Sequence, residues 1–378
     1  MMEQKRLGDI ATYINGFAFK PEDRGTVGLP IIRIQDLTGN AYDLGFYDGN
    51  YPERIEINDG DVLISWSASL GVYVWNKGKA LLNQHIFKVA FDKCEVNREY
   101  FVYAVRYKLK EMESKTHGAT MKHIVKKDFD NTLIPFPAFD EQRRIAESLD
   151  TAYAIITARQ QQLQKLDELI KARFVEMFGS PVSNPKKWSK KTLKEVCTKL
   201  NDGTHFSPES FTVGDYKYIT AKNIKASGFD FSNITYVPEA VHRPIFERCN
   251  PELGDVLYIK DGATTGIAIV NTLKEEFTLL SSVALLKQNR NVINGYFLAA
   301  LLNNADMYSD IRNNMGGAAI TRLTIAKLNA VRVIIPPLDL QNQFAAFVEQ
   351  IDKSKVAVQK SLDEAQLLFD SLMQQYFG

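Results

Sequence analysis

The chain contains an internal duplication, and this feature restricts its possible folds more than any other. The segment GDVL at residues 60–63 recurs at residues 254–257, and the segment that begins at Gly118 recurs from Gly317. From Gly118 onward the two copies keep one constant offset of 199 residues, whereas the earlier segments differ in spacing. Each copy therefore combines a part that varies in length with a part whose length is fixed.

The fixed-length part of each copy has the pattern of one long helix. Apolar residues recur every seven positions through residues 140–178, and a similar stripe runs through residues 339–378. Gly179 follows the first stretch, which suits a left-handed helix C-cap, and Gly378 is the last residue of the second. A helix of ~39 residues is about 58 Å long. The stripes consist of Leu149, Ile156, Leu163, Ile170 and Met177 in the first copy, and Val348, Lys355, Leu362, Phe369 and Tyr376 in the second.

Long helices with one apolar stripe need a partner. The matched lengths predict that the two helices pair with each other as an antiparallel coiled coil, in a layout with pseudo-two-fold symmetry and a globular domain at each end. The alternative is two surface helices that pack on separate domains.

The parts before the helices alternate short β-rich runs with turns, which predicts an α+β fold. In the first copy we expect strands at residues 30–34, 62–66, 72–75, 86–91 and 133–136, and a helix over residues 99–113. In the second copy we expect strands at residues 216–220, 256–260, 267–270, 283–287 and 331–335, and a helix from residue 296 to about 311. The predicted organisation is two tandem mixed α/β domains (residues 1–139 and 180–338), each followed by a long helix (residues 140–179 and 339–378).

Several turn-rich loops carry side chains that suit nucleic acid. Arg and Lys read guanine or bind phosphate, Asn and Gln read adenine, and hydroxyl groups bind phosphates. Loops 65–71 and 118–127 match loops 260–266 and 317–327, although ordinary solvated loops have a similar composition. Residues 201–205 (NDGTH) are predicted to form a plain turn. The candidate DNA-binding residues are Arg33, Gln35, Ser67, Ser69, Lys122, His123, Lys126, Lys222, Asn223, Lys260, Thr264, Thr265, Thr321 and Arg322.

Composition restricts the class of protein further. The formal net charge is +1, so DNA binding would need basic residues gathered on one face or supplied by a partner. Three cysteines lie far apart without metal-ligand spacing, which indicates a reducing compartment and no metal site. No apolar run approaches the ~20 residues of a membrane helix, and the N-terminus lacks the apolar core of a signal peptide. We therefore expect a cytoplasmic protein.

Motifs of covalent chemistry are missing from the sequence. A methyltransferase would need a glycine-rich cofactor loop and a polar-Pro-Pro-aromatic loop, but Pro336 and Pro337 stand between Ile335 and Leu338. The chain also has no GxxxxGK[ST] phosphate loop and no nucleophile elbow. We expect a non-catalytic chain that holds no cofactor of its own.

Two variable domains that alternate with two similar long helices resemble the specificity subunit of Type I restriction–modification enzymes. The resemblance covers essentially the whole chain. Its most specific motif is Pro-x-x-(Asp/Glu)-x-Gln at the start of each long helix, at residues 137–142 and 336–341. The second copy departs from the first because Asn342-Gln343 replaces Arg143-Arg144 and because Lys355 lies in the apolar stripe.

The resemblance implies that each globular domain reads one half of a split DNA sequence and that the helices set the gap between the halves. Two modification subunits would dock on the chain, bind S-adenosylmethionine and methylate adenine. Restriction subunits would add translocation and cleavage driven by ATP with Mg²⁺. Basic residues on these partners would also offset the near-neutral charge of this chain.

Two other hypotheses stay open from the residues alone. A structural adaptor that binds only proteins through its coiled coil would explain the neutral charge without a further assumption. A stand-alone enzyme is disfavoured by the missing motifs.

Overall fold

The computed structural model of the chain describes residues 3–40, 43–115, 124–313 and 323–378. It forms two compact units, one of Met1–Gln160 with Lys360–Gly378 and the other of Gln161–Gln359. None of the helices in the described ranges has both the length and the apolar character that a membrane crossing requires.

The first unit consists of short strands and helices followed by the start of a long helix. Single 3-10 turns lie at Pro21–Asp23 and Glu53–Ile55. The other elements are β1 (Gln4–Arg6), α1 (Leu7–Ile10), β2 (Thr12–Asn15), β3 (Leu29–Ile32), α2 (Ile34–Thr38), β4 (Gly45–Tyr47), β5 (Glu56–Ile57), β6 (Val62–Ser65), β7 (Gly71–Val74), β8 (Ala80–Leu82), β9 (Ile86–Ala90), α3 (Arg98–Lys115), α4 (Lys126–Asp130), β10 (Leu133–Pro135) and α5 (Phe139–Phe178).

Two four-stranded sheets organise the first unit. One has the strand order β2-β9-β6-β7 and is antiparallel throughout. The other has the order β4-β3-β8-β5 and contains one parallel pair, in which Ile31 lies opposite Leu81. Strands β1 and β10 form a separate antiparallel ribbon with Gln4 opposite Pro135, so the start of the unit is tied to the segment just before α5.

The second unit contains the same kinds of element in the same order, with additions. A 3-10 turn lies at Ala221–Asn223. The other elements are β11 (Ser189–Thr192), α6 (Leu193–Val196), β12 (Cys197–Asp202), β13 (Tyr216–Ile219), β14 (Ile224–Lys225), β15 (Gly228–Phe229), β16 (Thr235–Val237), α7 (Glu239–Arg248), β17 (Val256–Ile259), β18 (Ala268–Val270), β19 (Phe277–Leu279), β20 (Val283–Gln288), α8 (Gly295–Leu302), α9 (Ala305–Asn313), α10 (Ile325–Ala330), β21 (Arg332–Ile335) and α11 (Leu338–Phe377).

The strand connections of the second unit repeat those of the first. Its main sheet has the order β12-β20-β17-β18, its second sheet the order β16-β13-β19, and β11 pairs with β21. The parallel pair recurs between β13 and β19. Helix α7 has no helix to match it in the first unit. It lies at the point in the chain order where the first unit has the 3-10 turn Glu53–Ile55. The duplication seen in the sequence is therefore a duplication of the fold.

In the first unit the early part of α5 packs with the late part of α11. Ile156 of α5 and Phe369 of α11 belong to one buried core that also includes residues of the sheet and of α3. The Phe377 ring near the end of α11 lies 5.3 Å from the Tyr100 ring of α3 and is 1% exposed. The last turns of α11 thus complete the core of the first unit.

In the second unit the late part of α5 packs with the early part of α11. The Phe174 and Phe178 rings lie 5.6 and 4.7 Å from the Phe297 ring of α8, and both also contact Phe344 of α11. In each unit the two helices therefore run in opposite directions, and the predicted antiparallel pairing is confirmed.

A buried glutamine near the start of each long helix bonds the residue that precedes an earlier helix, α3 in the first unit and α8 in the second. In the first unit Gln142 accepts a hydrogen bond from Asn97 N (2.9 Å) and donates to Pro137 O (2.9 Å). In the second unit Gln341 accepts from Asn294 N (2.9 Å) and donates to a proline carbonyl five residues earlier (2.8 Å). Asn97 and Asn294 also cap α3 and α8. The Gln of the duplicated motif is thus a structural clamp.

The sequence prediction of one helix from residue 296 to about 311 is wrong, because α8 and α9 are separated at Asn303 and Asn304. Both polar groups of the Asn303 side chain bond the backbone of Ala268 (2.9 and 2.7 Å). The Asn304 side-chain oxygen Oδ1 accepts from Asp306 N (3.0 Å) and caps α9. Side chains that bond the backbone in this way compete with a continuous helix.

Candidate nucleic-acid interface

Backbone hydrogen bonds bring the predicted loops of the first unit together at the end of the β6–β7 hairpin. Trp66 N donates to His85 O (3.2 Å), and Ile124 N donates to Trp66 O (3.0 Å). Asn83 N donates to Ile32 O (3.1 Å), just before helix α2 begins. Loop 65–71, the segment that begins at Ile124 and helix α2 therefore converge on one region.

The side chains at this point are mainly aromatic. The Trp66 ring stacks on Phe87 (5.6 Å, 24°) and lies 5.0 Å from the ring of His85, whose φ is 73°. Lys126 is exposed, and its Nζ lies 6.0 Å from the centre of the Phe87 ring and 2.7 Å from Asp130. A positive φ at a residue other than glycine is uncommon, so His85 is held by its surroundings in a conformation that costs free energy.

Other predicted residues of the first unit differ in their exposure. The Arg33 side chain is 14% exposed, and its Nε lies 3.1 Å from Asp36 Oδ2, so it stabilises the start of α2. Gln35 and Ser69 are exposed. Ser67 is buried, with 7% of its surface exposed. Gln35 and Ser69 are accordingly available to a ligand, whereas Arg33 and Ser67 are mainly part of the fold.

The second unit has the same framework of backbone bonds. Lys260 N donates to Ser282 O (2.9 Å), and Leu323 N donates to Lys260 O (3.0 Å). Ala221 N donates to Ser282 Oγ (3.2 Å), which adds the 3-10 turn that carries two predicted residues. Lys260 stands where the first unit has Trp66, because both follow the GDVL strand at the same distance. The three predicted loops of this unit are therefore adjacent as well.

An ion network replaces the aromatic cluster in the second unit. Lys260 is 2% exposed, and its Nζ lies 3.3 Å from Asp202 Oδ2 and 3.0 Å from Asp261 Oδ2. His205 Nε2 (3.1 Å) and Arg248 Nη1 (3.5 Å) contact the other oxygen of Asp202. A buried charge without partners is costly, so each member of the network fixes the position of the others. Arg248 and His205 are 44% and 59% exposed and extend from this network toward solvent.

The remaining predicted residues of the second unit divide in the same way as those of the first. Asn223 is 4% exposed and accepts from Thr220 N (3.0 Å), which closes the turn. Thr265 is 1% exposed and donates to Gly262 O (2.7 Å) within its own loop. Lys222 and Thr264 are exposed. The buried pair shapes the loops, and the exposed pair can contact a ligand.

Four predicted residues, Lys122, His123, Thr321 and Arg322, lie outside the described residues. The residues that follow them in the chain, Ile124 and Leu323, donate backbone hydrogen bonds to Trp66 and Lys260.

The loop that follows β12 exposes apolar side chains that sequence reasoning missed. Phe206, Phe211 and Val213 are 61%, 49% and 81% exposed, and Val27 at the corresponding place in the first unit is 68% exposed. The repeated Thr-Val-Gly at residues 26–28 and 212–214 could have indicated this loop. Exposed apolar groups beside charged ones are typical of a contact surface.

Glycines at the start of this loop show how the two units correspond. A Cβ on Gly16 or Gly203 would lie 2.0 or 1.9 Å from a backbone carbonyl oxygen, so only glycine fits. The residue after each glycine, Phe17 or Thr204, donates its N–H (2.8 Å) to a backbone carbonyl group. The acceptor is the last residue of β8 (Leu82) in the first unit and of β19 (Leu279) in the second. Counting from these glycines, Phe19 corresponds to Phe206, yet Phe19 is only 9% exposed.

Titratable groups elsewhere indicate structure more than chemistry. Burial raises the pKa of Cys197 and of Cys249 to about 12, so both thiols stay protonated at neutral pH. Burial also lowers the pKa of His242, which stacks on Tyr216 at 3.7 Å. Within residues 3–40, 43–115, 124–313 and 323–378 no three His, Cys, Asp or Glu side chains form a group that could hold a metal ion.

Comparison with known proteins identifies relatives along most of the chain. The Type I restriction enzyme EcoBI specificity subunit of Escherichia coli is 23% identical over 398 residues, which cover 97% of this chain and 83% of that protein. The EcoKI specificity subunit of Escherichia coli strain K12 is 23% identical over 409 residues (97% and 86%). The MjaVIII specificity subunit of Methanocaldococcus jannaschii is 22% identical over 316 residues (79% and 74%).

Solved structures share the fold. The Type I restriction–modification S subunit from M. genitalium matches with a TM-score of 0.58 at 16% identity, over 100% of this chain and 96% of that one. A chain from a study of complex assembly in the type I R-M system matches with a TM-score of 0.54 at 18% identity, over 99% and 97%. The family model of the Type I restriction modification DNA specificity domain matches residues 1–168 and 185–365. The duplicated domains, their antiparallel helices and this match over most of the chain agree, and the chain belongs to the family of Type I restriction–modification specificity subunits.

Proposed function

We propose that this chain reads a split DNA sequence, with each unit contacting one half of the target. The observation that carries the proposal is a shared framework with different side chains at its centre. The same backbone hydrogen bonds hold Trp66 in one unit and Lys260 in the other, although one lies among aromatic rings and the other among charges. Two readers built on one frame, with different chemistry at the same place, suit two different half-sites.

Exposure assigns different roles to the predicted residues. Gln35, Ser69 and Lys126 in the first unit and Lys222 and Thr264 in the second are exposed, so we assign them contacts with bases or phosphates. Lys122, His123, Thr321 and Arg322 have the chemistry for the same role and stay candidates. The mostly buried residues Arg33, Ser67, Asn223, Lys260 and Thr265 act as positioning residues of the loops.

The second unit adds three contacts to this set. Arg248 and His205 extend from the Asp202 network, and a guanidinium can bond guanine with two hydrogen bonds. The exposed Phe206 ring gives the same surface an apolar group that can contact a thymine methyl group at a base edge. This combination supports base contacts near the Asp202 network, while Lys222 supplies charge for the phosphates.

The partners and cofactors follow from the family. We assign the chain a non-catalytic role beside two modification subunits, which would bind S-adenosylmethionine and methylate adenine in each half-site. Restriction subunits would add cleavage that needs ATP and Mg²⁺. The two long helices would determine the number of unread base pairs between the half-sites. The protonated thiols of Cys197 and Cys249 are compatible with work in the cytoplasm.

Long-read sequencing of methylated DNA tests the proposal. The chain is expressed with its neighbouring modification subunit, and the methyl-adenine positions are mapped. We expect one split motif with methyl-adenine in both halves and a constant gap. Absence of any split motif, from a complex that is assembled and binds S-adenosylmethionine, would favour the adaptor that binds only proteins.

Exchange of one unit gives a sharper version of the test. Replacing the β-rich part of the first unit with that of a relative should change one half of the motif and leave the other half and the gap unchanged. Insertion of one heptad into each long helix is the matched control, because it should lengthen the gap without changing either half. A change in both halves after the exchange would contradict independent reading.

A further inference from the structure

At one place the helix contacts of the two units differ in the kind of side chain. In the second unit Lys355 of α11 is 19% exposed, and its Nζ lies 2.5 Å from Asp167 Oδ1 of α5. With the constant offset of 199 residues, the corresponding residues of the first unit are Ile156 of α5 and Gln366 of α11. Ile156 is 3% exposed in an apolar core. The contact in the second unit thus has an ion pair where the first unit has the buried Ile156 and the exposed Gln366.

This difference matters because the helices are otherwise able to pair in two ways. Both are 40 residues long and carry matching apolar stripes. Besides the pairing of α5 with α11, two copies of the chain could exchange helices, so that α5 pairs with α5 and α11 with α11. A chain with two similar halves needs a feature that separates these arrangements.

The ion pair of Lys355 with Asp167 forms in only one of these two helix arrangements. In a pairing of α5 with a second α5, each Asp167 would lie beside an Ile156 and have no cation there. In a pairing of α11 with a second α11, each Lys355 would lie beside a Gln366 and keep only Asp352 of its own helix, 3.4 Å away. Only the pairing of α5 with α11 places Lys355 against Asp167.

We propose that Lys355 and Asp167 select the partner of each long helix, so that α5 pairs with α11 and not with its own copy in another chain. A polar residue in an apolar stripe is known to specify the partner and register of paired helices at some cost in stability. The inference concerns helix pairing alone and holds whether or not the chain reads DNA.

The test replaces the ion pair with Gln and Ile, the residues that the first unit has at the corresponding positions. The variant Asp167→Gln with Lys355→Ile and the wild type are refolded from urea at a series of concentrations, and light scattering after size-exclusion chromatography gives the dimer fraction. We expect the variant to dimerise about fivefold more strongly. The urea midpoint should stay equal or rise, because an ion pair replaced by apolar groups is often neutral or stabilising.

Charge reversal distinguishes partner selection from plain stabilisation. Asp167→Lys places two lysines together when α5 pairs with α11, so its dimer fraction should exceed that of the first variant. Adding Lys355→Asp restores the attraction and should return the dimer fraction to that of the wild type. The control Lys360→Ile with Glu364→Gln removes an exposed ion pair of α11 and should change nothing. A lower urea midpoint with no increase in dimer, or no effect of charge reversal, would overturn the proposal.

Discussion

The two units carry opposite kinds of side chain at one corresponding position of the fold. In the first unit Trp66 stacks on Phe87, and in the second the corresponding Lys260 lies between Asp202 and Asp261. The N–H and carbonyl groups of both residues nevertheless make the same two backbone hydrogen bonds. Backbone bonds are independent of side-chain identity, so a frame built from them tolerates changes that would ruin a frame built from packing. The loops therefore keep the same arrangement in both units although the side chains at this position differ.

Phe19 and Phe206 test the comparison with the largest expected effect. Phe19→Ala should lower the free energy of unfolding of the first unit by about 3–5 kcal/mol, because it removes a buried ring. Phe206→Ala should leave stability within about 0.5 kcal/mol, because the ring is exposed. Urea unfolding followed by hydrogen exchange of each unit measures both changes.

The same pair separates stability from DNA binding. In the assembled complex Phe206→Ala should weaken binding of the target by about 1–3 kcal/mol if the ring contacts a base edge. Unchanged binding by a complex with intact stability would remove Phe206 from the reading surface.

Lys260 gives the next largest effect. Lys260→Met leaves Asp202 and Asp261 without their shared buried cation, so we expect a loss of about 3 kcal/mol, with Arg248 as a remaining partner. Protection of the β17 and β20 amides from hydrogen exchange should fall, and that of β6 and β9 should not. Lys222→Met is the matched control because Lys222 is exposed. Equal protection in both variants would mean that the network contributes little.

The two glutamine clamps should respond alike, which makes them a test of what the units share. Gln142→Ala and Gln341→Ala each leave a half-buried backbone N–H, of Asn97 or Asn294, without its acceptor. A loss of about 1–3 kcal/mol is expected in each case, measured by urea unfolding. A large effect from only one of them would indicate that the corresponding motifs have different roles.

The smallest expected effect is the pH dependence of stability that His242 gives to the second unit. Burial lowers the pKa of His242 in the folded state, so the unfolded state binds the proton more readily. Stability of the second unit should therefore fall as the pH drops below the ordinary histidine pKa of ~6.5. His242→Gln should remove this part of the pH dependence. An identical slope in the variant and the wild type, from pH 7.5 to 5, would contradict the assignment.

Periodicity and repetition in the sequence predict the long helices well. Helices α5 and α11 each begin one residue before the predicted start. The prediction is accurate because the heptads extend over many residues and a glycine marks the end of each helix. Strands β6, β9, β17 and β20 also lie where apolar runs predict them. In contrast, β1 (QKR) and β11 (SKKT) were missed, because short charged edge strands carry no apolar alternation.

The candidate site was harder to predict, because it depends on contacts between distant segments. The loops were found from their composition, yet the sequence does not show that Lys260 would be buried by Asp202, which is 58 residues earlier. Residues 201–205 were predicted to form a plain turn, whereas Asn201 and Asp202 end strand β12 and Asp202 is the centre of the ion network. Exposure separates Asn223 from its neighbour Lys222, and no local pattern distinguishes them.

The place of residues 360–377 in the first unit has a consequence for synthesis. Phe369 and Phe377 belong to the core of a unit whose other part ends at Gln160. At ~5–20 residues per second, the ribosome needs roughly 10–40 s to produce the intervening ~200 residues. During this time the apolar faces of α3 and α5 that Phe377 and Phe369 will cover are exposed on the nascent chain. The unit made first is therefore the one finished last, and chaperones have their longest opportunity to act on it.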